Sequence, residues 1–242
     1  MRSEEFKQED SKILFLGSSI SLGWGIQNKD SYPQIIQKKL FLDSLNFKVL
    51  NGSIGNYNTF RYVNSFLSNQ IDISPELIVV YYFINDVEIL PINSSNWLIR
   101  NSQLFATLKM TYSKLLSKSG FNLKSYYNKL YEYDNFSFLE MRNSLKKLSE
   151  YCHKKKVPLI LVVIPDIHFL EDYPFQQIHE KMNEISNLHN FHFHDMLKKM
   201  KGIPFEELQI IRGDSHPNEY GHKIMAESLY PKLYEIIVQL NK

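Results

Sequence analysis

The sequence predicts an α/β protein in which a parallel sheet of about five strands lies between two layers of helices. Short apolar segments of strand length alternate along the chain with segments of helical periodicity. The central segment 76–83 is apolar at nearly every position, which is typical of a strand that is buried on both faces. This alternation predicts a parallel sheet covered on both sides, a three-layer α/β/α sandwich.

Four of the predicted strands are short, mainly apolar segments, and the fifth, at 190–194, is a short segment in which Phe alternates with His. The five strands are expected at 13–16, 47–50, 76–83, 157–164 and 190–194. Each predicted helix has apolar residues recurring three and four positions apart. The five helices are expected at 32–42, 60–67, 138–154, 178–188 and 219–239.

The segment 91–136 interrupts this alternation, because it has helical character and contains no strand pattern. We interpret it as a helical insertion or cap over the edge of the sheet. It is rich in aromatic residues, which we expect mainly to pack the insertion onto the domain, with a few facing substrate as the alternative. These residues are Trp97, Phe105, Tyr112, Phe121, Tyr126, Tyr127, Tyr131, Tyr133 and Phe136.

The length and composition indicate a single globular domain over residues 1–242, with 43% hydrophobic and 22% charged residues. The net charge of +2 gives no reason to expect a nucleic-acid partner. The single cysteine excludes an intrachain disulfide. The charged N-terminus lacks the apolar core of a signal peptide, and no apolar run is long enough to span a bilayer, so we expect a cytoplasmic protein.

Four short polar segments are placed where ligands bind in such a fold: 17–25, 51–59, 84–86 and 214–218. In the first, Gly17 allows a sharp turn, and a serine that follows it can project into the crevice. The second contains small residues whose backbone N–H groups can face a ligand. The third follows the central strand, and the fourth precedes the last helix. Together they predict one functional site at the carboxyl edge of the sheet.

The residue types in these segments match the needs of acyl transfer, which are a nucleophile, a base and donors for an oxyanion. Ser19 can attack a carbonyl carbon, and His216 can take its proton. Asp214 can orient the imidazole. The backbone N–H of Ser19, an N–H near Gly55 and the Asn85 side chain can donate to the oxyanion.

The four segments resemble the motif blocks of the SGNH, or GDSL-type, hydrolases: Gly-Asp-Ser, a glycine block, Gly-x-Asn-Asp and Asp-x-x-His. The resemblance extends from Lys12 to the final helix. It implies a flavodoxin-like fold and hydrolysis of carboxylic esters, and some members transfer acyl groups to or from sugars. By this resemblance Ser19 is the nucleophile, Asn85 an oxyanion donor and His216 the base.

The chain departs from the family pattern at several positions. Ser18 replaces the usual aspartate and could compete as nucleophile, although the register of the block favours the second serine. Phe83 replaces the glycine of Gly-x-Asn-Asp. A strict register places the oxyanion glycine at Asn56, next to Gly55. A backbone N–H can donate from either residue, and Gly55 is slightly favoured.

The aspartate of the last block also departs from the pattern, because Asp214 lies two residues before His216 and not three. In an extended segment the two side chains share one face, and the carboxylate can reach the imidazole. In a tight turn it could instead cap the helix that follows. We favour the orienting role.

Other chemistry-bearing residues have structural interpretations. His192 and His194 share a strand face and with Asp195 could bind a metal, but no third well-spaced ligand is visible, so no metal is expected. His222 is interpreted as a packing or capping residue. Cys152 is not expected to be a nucleophile, because its neighbouring histidine points elsewhere on a helix.

Two further motifs are interpreted in the same way. Asp86 is expected to hold the Asn85 turn by hydrogen bonds. Gly17, Gly23 and Gly25 do not have the spacing of a nucleotide-binding loop, so no nucleotide is expected.

We therefore expect a cofactor-free serine hydrolase that forms an acyl-enzyme on Ser19. The expected substrate is a small-molecule or carbohydrate ester, with a short O-acyl group. An O-acyltransferase that uses the same acyl-serine is the first alternative. A non-catalytic binding protein on a decayed hydrolase fold is the second. The oligomeric state is left open by the sequence.

Overall fold

The computed structural model describes residues 11–89 and 123–240, and these residues form one parallel five-stranded sheet with helices on both faces. The strands are β1 (Ser11–Gly17), β2 (Phe47–Asn51), β3 (Leu77–Phe83), β4 (Leu159–Ile164) and β5 (His192–Asp195). Their spatial order is β2-β1-β3-β4-β5, and every neighbouring pair is parallel. This is the flavodoxin-like order, so the predicted fold class is confirmed.

The described helices lie in the connections between strands and after the last strand. They are α1 (Ser19–Leu22), α2 (Tyr32–Leu42), α3 (Thr59–Asn69), α4 (Leu123–Leu130), α5 (Phe136–Lys155), α6 (Gln176–His189), α7 (Leu197–Met200), α8 (Phe205–Leu208) and α9 (Glu219–Leu240). Helix α2 packs against α9, whereas α3 packs against α5, which also contacts α6. The two groups form the two helical layers.

Strand β3 is the central strand of the sheet, and all seven of its residues are buried. It is hydrogen-bonded to β1 on one side and to β4 on the other. A strand in this position has no polar face, which explains its continuous apolar sequence. The strand order reverses between β1 and β3, and the carboxyl ends at such a point form the crevice where ligands bind.

All ten predicted strands and helices are found in the structure, with ends that differ from the prediction by a few residues. The short helices α1, α7 and α8 were not predicted, because segments of four residues are too short to show a helical period. Within the described ranges, no helix has the length and apolar character that a membrane span requires.

Residues 90–122, most of the predicted insertion, lie outside the described residues, and with them Trp97, Phe105, Tyr112 and Phe121. The described remainder contains α4 and the start of α5. Tyr127 and Tyr131 are buried there, in agreement with a packing role. Tyr126, Tyr133 and Phe136 are exposed, at 38%, 51% and 67%.

Candidate active site

The turn after β1 places Ser19 at the first position of α1, where its side chain faces the crevice. Gly17 makes this turn possible, because a Cβ at that position would lie 2.3 Å from Ser21 Oγ and 2.9 Å from the Tyr81 carbonyl oxygen. The preceding residue, Ser18, is only 6% exposed. Because the chain turns sharply at the end of β1, Ser19 faces the crevice and Ser18 is buried.

Ser19, His216 and Asp214 form a continuous hydrogen-bonded chain. His216 Nε2 lies 2.8 Å from Ser19 Oγ, and His216 Nδ1 lies 2.6 Å from Asp214 Oδ1. With the Nδ1 proton donated to Asp214, Nε2 accepts the hydrogen bond of the Ser19 hydroxyl. This is the arrangement in which an imidazole can take the proton of an attacking serine.

The loop that carries this pair folds so that Asp214 faces the imidazole and not the next helix. Asp214 Oδ1 also accepts the backbone N–H of His216 at 2.9 Å. The predicted alternative, a cap on the last helix, is filled by another residue, because Asn218 Oδ1 accepts the N–H of Gly221 at 3.1 Å. Two hydrogen bonds, from the backbone N–H and from Nδ1 of His216, thus hold the Asp214 carboxylate beside the imidazole.

The turn after β2 lies against α1, and two hydrogen bonds define its shape. The Ile54 N–H donates to the Gly17 carbonyl at 3.1 Å, and the Tyr57 N–H closes the turn on the Ile54 carbonyl at 3.2 Å. Its central residues are Gly55 and Asn56. In the described part of the chain, no hydrogen-bond acceptor is found for either of their N–H groups.

The backbone of this turn explains the ambiguity between its two central residues. Asn56 has a φ of 61°, in the left-handed region, whereas Gly55 has no positive φ. The residue that needs glycine-like freedom is therefore Asn56, and asparagine tolerates this region better than most other residues. This conformation supports Asn56, the residue that the strict register indicates, and the choice between Asn56 and Gly55 as oxyanion donor stays a prediction.

Asn85 lies in the 3₁₀ turn Ile84–Val87 that follows β3, and its side chain is exposed. Two contacts fix this turn from outside. The Tyr131 hydroxyl donates to the Ile84 carbonyl at 2.8 Å, and Asn58 Nδ2 donates to the Glu88 carbonyl at 2.6 Å. The turns after β1, β2 and β3 thus contain the residues that the sequence predicts as oxyanion donors.

Asp86 belongs to the same turn and is buried, at 2% exposure. Its Oδ2 accepts the Phe83 N–H at 3.2 Å, as the predicted role in holding the turn requires. Burial raises the pKa of this carboxyl to about 8, although the Phe83 N–H and the hydroxyls of Ser18 and Tyr62 act in the opposite direction.

The other histidines and the cysteine have structural environments. His222 is buried, accepts the Tyr32 N–H at 3.2 Å and stacks on the Tyr32 ring; burial and the nearby His216 lower its pKa to about 3. Burial raises the pKa of the Cys152 thiol to about 12, so the thiol is a poor nucleophile.

The possible metal ligands on β5 are used otherwise. His194 Nε2 contacts Ser228 Oγ at 2.9 Å, and Asp195 accepts from His179 Nδ1 and from the Leu197 N–H, both at 2.9 Å. Across the described ranges no group of three histidine, cysteine or acidic side chains is arranged to hold a metal ion.

Sequence reasoning missed two features of this edge of the sheet. Trp24 lies against the base, with its ring centroid 4.7 Å from that of His216. A second aspartate–histidine pair, Asp166 and His168, follows β4, with Asp166 Oδ1 and His168 Nδ1 2.7 Å apart. The spacing of this second pair, identical to that of Asp214 and His216, was a visible signal.

Comparison with known proteins identifies the fold through solved structures. No family model matches the chain, and no curated protein matches it in sequence. The psychrotrophic esterase EstA from Pseudoalteromonas sp. matches with a TM-score of 0.59 at 16% identity, over 96% of this chain and 100% of its own. Axe2, an acetylxylan esterase from Geobacillus stearothermophilus, matches with a TM-score of 0.59 at 17% identity, over 92% of this chain and 94% of its own.

A third match is a G-D-S-L family structure from Desulfitobacterium hafniense DCB-2, with a TM-score of 0.57 at 13% identity, covering 92% of this chain and 99% of its own. At these identities the likeness shows the fold. The chain shares its three-layer α/β/α fold with these esterases and with the G-D-S-L family protein, as the resemblance of its motif segments implied.

Proposed function

We propose that this chain is a serine esterase of the SGNH type, with Ser19 as nucleophile, His216 as base and Asp214 as the residue that orients the base. The observation that carries the proposal is the hydrogen-bonded chain from Asp214 through His216 to Ser19, with heavy-atom distances of 2.6 and 2.8 Å. These distances allow proton transfer within the site without a change of fold.

In the proposed reaction, Ser19 Oγ attacks the carbonyl carbon of an ester as its proton moves to His216 Nε2. The resulting oxyanion is stabilised by the Ser19 N–H, the Asn85 side-chain amide and an N–H of the turn at Asn56 or Gly55. Collapse of this intermediate releases the alcohol, which takes the proton from His216, and leaves an acyl group on Ser19.

In the second half of the reaction, His216 removes a proton from water, which attacks the acyl-enzyme. The acid leaves, and the proton returns to Ser19. No metal or cofactor takes part in this scheme.

The proposed substrate is a small-molecule or carbohydrate ester with a short O-acyl group. Matched structures include esterases of this kind: Axe2 is an acetylxylan esterase, and a two-domain esterase was crystallised with mannopentaose. If a sugar hydroxyl replaces water in the second half-reaction, the same acyl-serine makes the protein an O-acyltransferase.

Fluorophosphonate labelling followed by mass mapping tests the assignment of the nucleophile. We expect label on Ser19, none in Ser19→Ala, and label in the control Ser18→Ala. Label on Ser18 would overturn the assignment, and no label on wild-type protein would support a binding protein without catalysis.

Turnover of aryl esters from acetate to palmitate tests the substrate class. We expect the highest rate on the short acyl groups, and a maximum at long chains would contradict the proposed substrate. A parallel assay with an added sugar acceptor separates transfer from hydrolysis by the product that forms.

A further inference from the structure

The second aspartate–histidine pair, Asp166 and His168, contacts the loop that carries Asp214 and His216 at Gly213. Asp166 Oδ1 accepts the backbone N–H of His168 at 3.1 Å and contacts His168 Nδ1 at 2.7 Å. The side chains are 10% and 29% exposed, so solvent only partly screens the pair. The ring of His168 also lies against Phe205, with centroids 4.4 Å apart.

The other nitrogen of this imidazole faces the loop that carries the proposed base. His168 Nε2 lies 3.4 Å from the carbonyl oxygen of Gly213, the residue before Asp214. Both neighbours of the ring, a carboxylate and a carbonyl, are hydrogen-bond acceptors. A neutral imidazole has one N–H and can donate to only one of them, whereas the imidazolium donates to both.

The contact lies on the loop that carries Asp214 and His216. On the far side of this loop, His216 is bonded to Ser19 and packs on Trp24. Gly213 N–H donates to Gln209 Oε1 at 2.7 Å, and the Asp214 N–H donates to the Ile211 carbonyl at 2.9 Å. Both of these bonds are made within the loop itself. At Gly213, His168 adds a contact from this loop to the turn that follows β4.

We propose that His168 is a positioning residue: as an imidazolium held by Asp166, it fixes the Gly213 carbonyl and thereby places Asp214 and His216 against Ser19. This inference rests on the proposed esterase function for its effect on activity. Its structural part, a charged histidine that orders the loop, does not depend on the substrate.

The charged groups around His168 support its protonated form. Burial disfavours the charge, but the hydrogen bond and charge of Asp166, the Gly213 carbonyl and the charge of Asp214 raise the pKa of His168 above its ordinary value. Helix α8 packs against the turn that contains His168. Its two acidic residues, Glu206 and Glu207, are exposed to solvent.

The proposal gives the activity an alkaline limit. When His168 loses a proton, the remaining one stays on Nδ1 with the carboxylate, because a charged acceptor holds it more strongly. The Nε2 lone pair then faces the Gly213 carbonyl, and two acceptors repel each other. The loop loses its anchor, so turnover falls as pH rises through the titration of His168.

The test compares kcat, KM and pH profiles of three variants on an aryl acetate. His168→Phe retains a ring against Phe205 but has no donor, and we expect kcat to fall about 10- to 100-fold at neutral pH with a smaller change in KM. His168→Gln can donate to Gly213 without titrating, so it should keep more activity and lose the alkaline limit. The control His192→Phe removes an exposed histidine elsewhere and should keep the wild-type profile.

A second measurement separates this proposal from the proposed function. Nitrogen-15 NMR of the inactive Ser19→Ala variant should show both ring nitrogens of His168 protonated to a higher pH than those of His192. The backbone amides of Asp214 and His216 should shift with the same titration. A His168 that titrates below His192, or amide signals that ignore it, would overturn the proposal even if esterase activity is found.

The kinetics of the variants decide whether His168 affects turnover. If His168→Phe keeps the wild-type kcat and alkaline limit, the positioning role is wrong. If no ester is hydrolysed but the NMR titration behaves as expected, the loop anchor stands and only the esterase function fails.

Discussion

Two segments of this chain have the same local structure and different surroundings. Asp166-Ile167-His168 and Asp214-Ser215-His216 both place an aspartate two residues before a histidine at the carboxyl edge of the sheet. In each, the aspartate accepts both the backbone N–H and the Nδ1 of the histidine. Sequence spacing alone therefore gives the same aspartate–histidine pair twice.

The two pairs differ in what lies beyond Nε2. In one, His216 meets the hydroxyl of Ser19 at 2.8 Å, a group that can give up a proton. In the other, His168 meets the carbonyl of Gly213 at 3.4 Å, a group that can only accept one. The partner at Nε2 makes the first histidine suited to act as a base and the second suited to hold a loop.

The largest expected difference between the pairs is in the effect of removing their carboxylates. Asp214→Asn should lower kcat up to about 10⁴-fold, because the amide favours the wrong imidazole tautomer. Asp166→Asn should cost no more than about 100-fold, because it acts only through loop position. Steady-state kinetics of the two variants measures this ratio. Equal losses would remove the distinction between base and anchor.

A smaller effect is expected from the Asn85 side chain, which belongs to neither pair. If the Ser19–His216 pair is the reacting one, Asn85→Ala should lower kcat by about 10²–10³-fold with little change in KM. Asn64→Ala, on the surface of α3, is the matched control and should leave both constants unchanged. A change confined to KM would make Asn85 a ground-state binding residue.

The smallest expected effect concerns folding stability. A histidine whose pKa is raised by folding stabilises the protein below its unfolded pKa, and this contribution is lost as pH rises through the folded pKa. His168→Phe should therefore cost on the order of 1 kcal/mol in the free energy of unfolding at pH 5, and less at pH 9.

Urea unfolding of both proteins at the two pH values measures this difference. Comparison with wild type at each pH cancels the contribution of Asp86, whose raised pKa also lowers stability as pH rises. A cost that grows with pH would contradict the charged state of His168.

The sequence predicted the sheet well because its signals are local. The continuous apolar run of β3 and the periodicity of α2 follow directly from burial, and both elements were located within a residue or two. Ser19 and Asn85 were expected at one edge of the sheet because parallel strands end there together. The structure shows a direct contact between Ser19 and His216.

The missed features depend on contacts between distant parts of the chain. The partner of His168 Nε2 is a backbone carbonyl 45 residues further on, and a carbonyl has no sequence signature. The left-handed backbone of Asn56 is likewise a property of the turn it occupies. Sequence spacing suggested an aspartate–histidine pair at 214 and 216, but only three-dimensional contact distinguishes it from the pair at 166 and 168.

The environment of Cys152 has a practical consequence for work on this protein. It is the single cysteine of the chain, it is 4% exposed, and burial raises its pKa to about 12. Thiol-directed reagents react through the thiolate, so they should leave the folded wild-type protein unmodified. A cysteine introduced on an exposed position can then be labelled selectively with a spin label or a fluorophore, and the catalytic loop can be followed without first removing the native thiol.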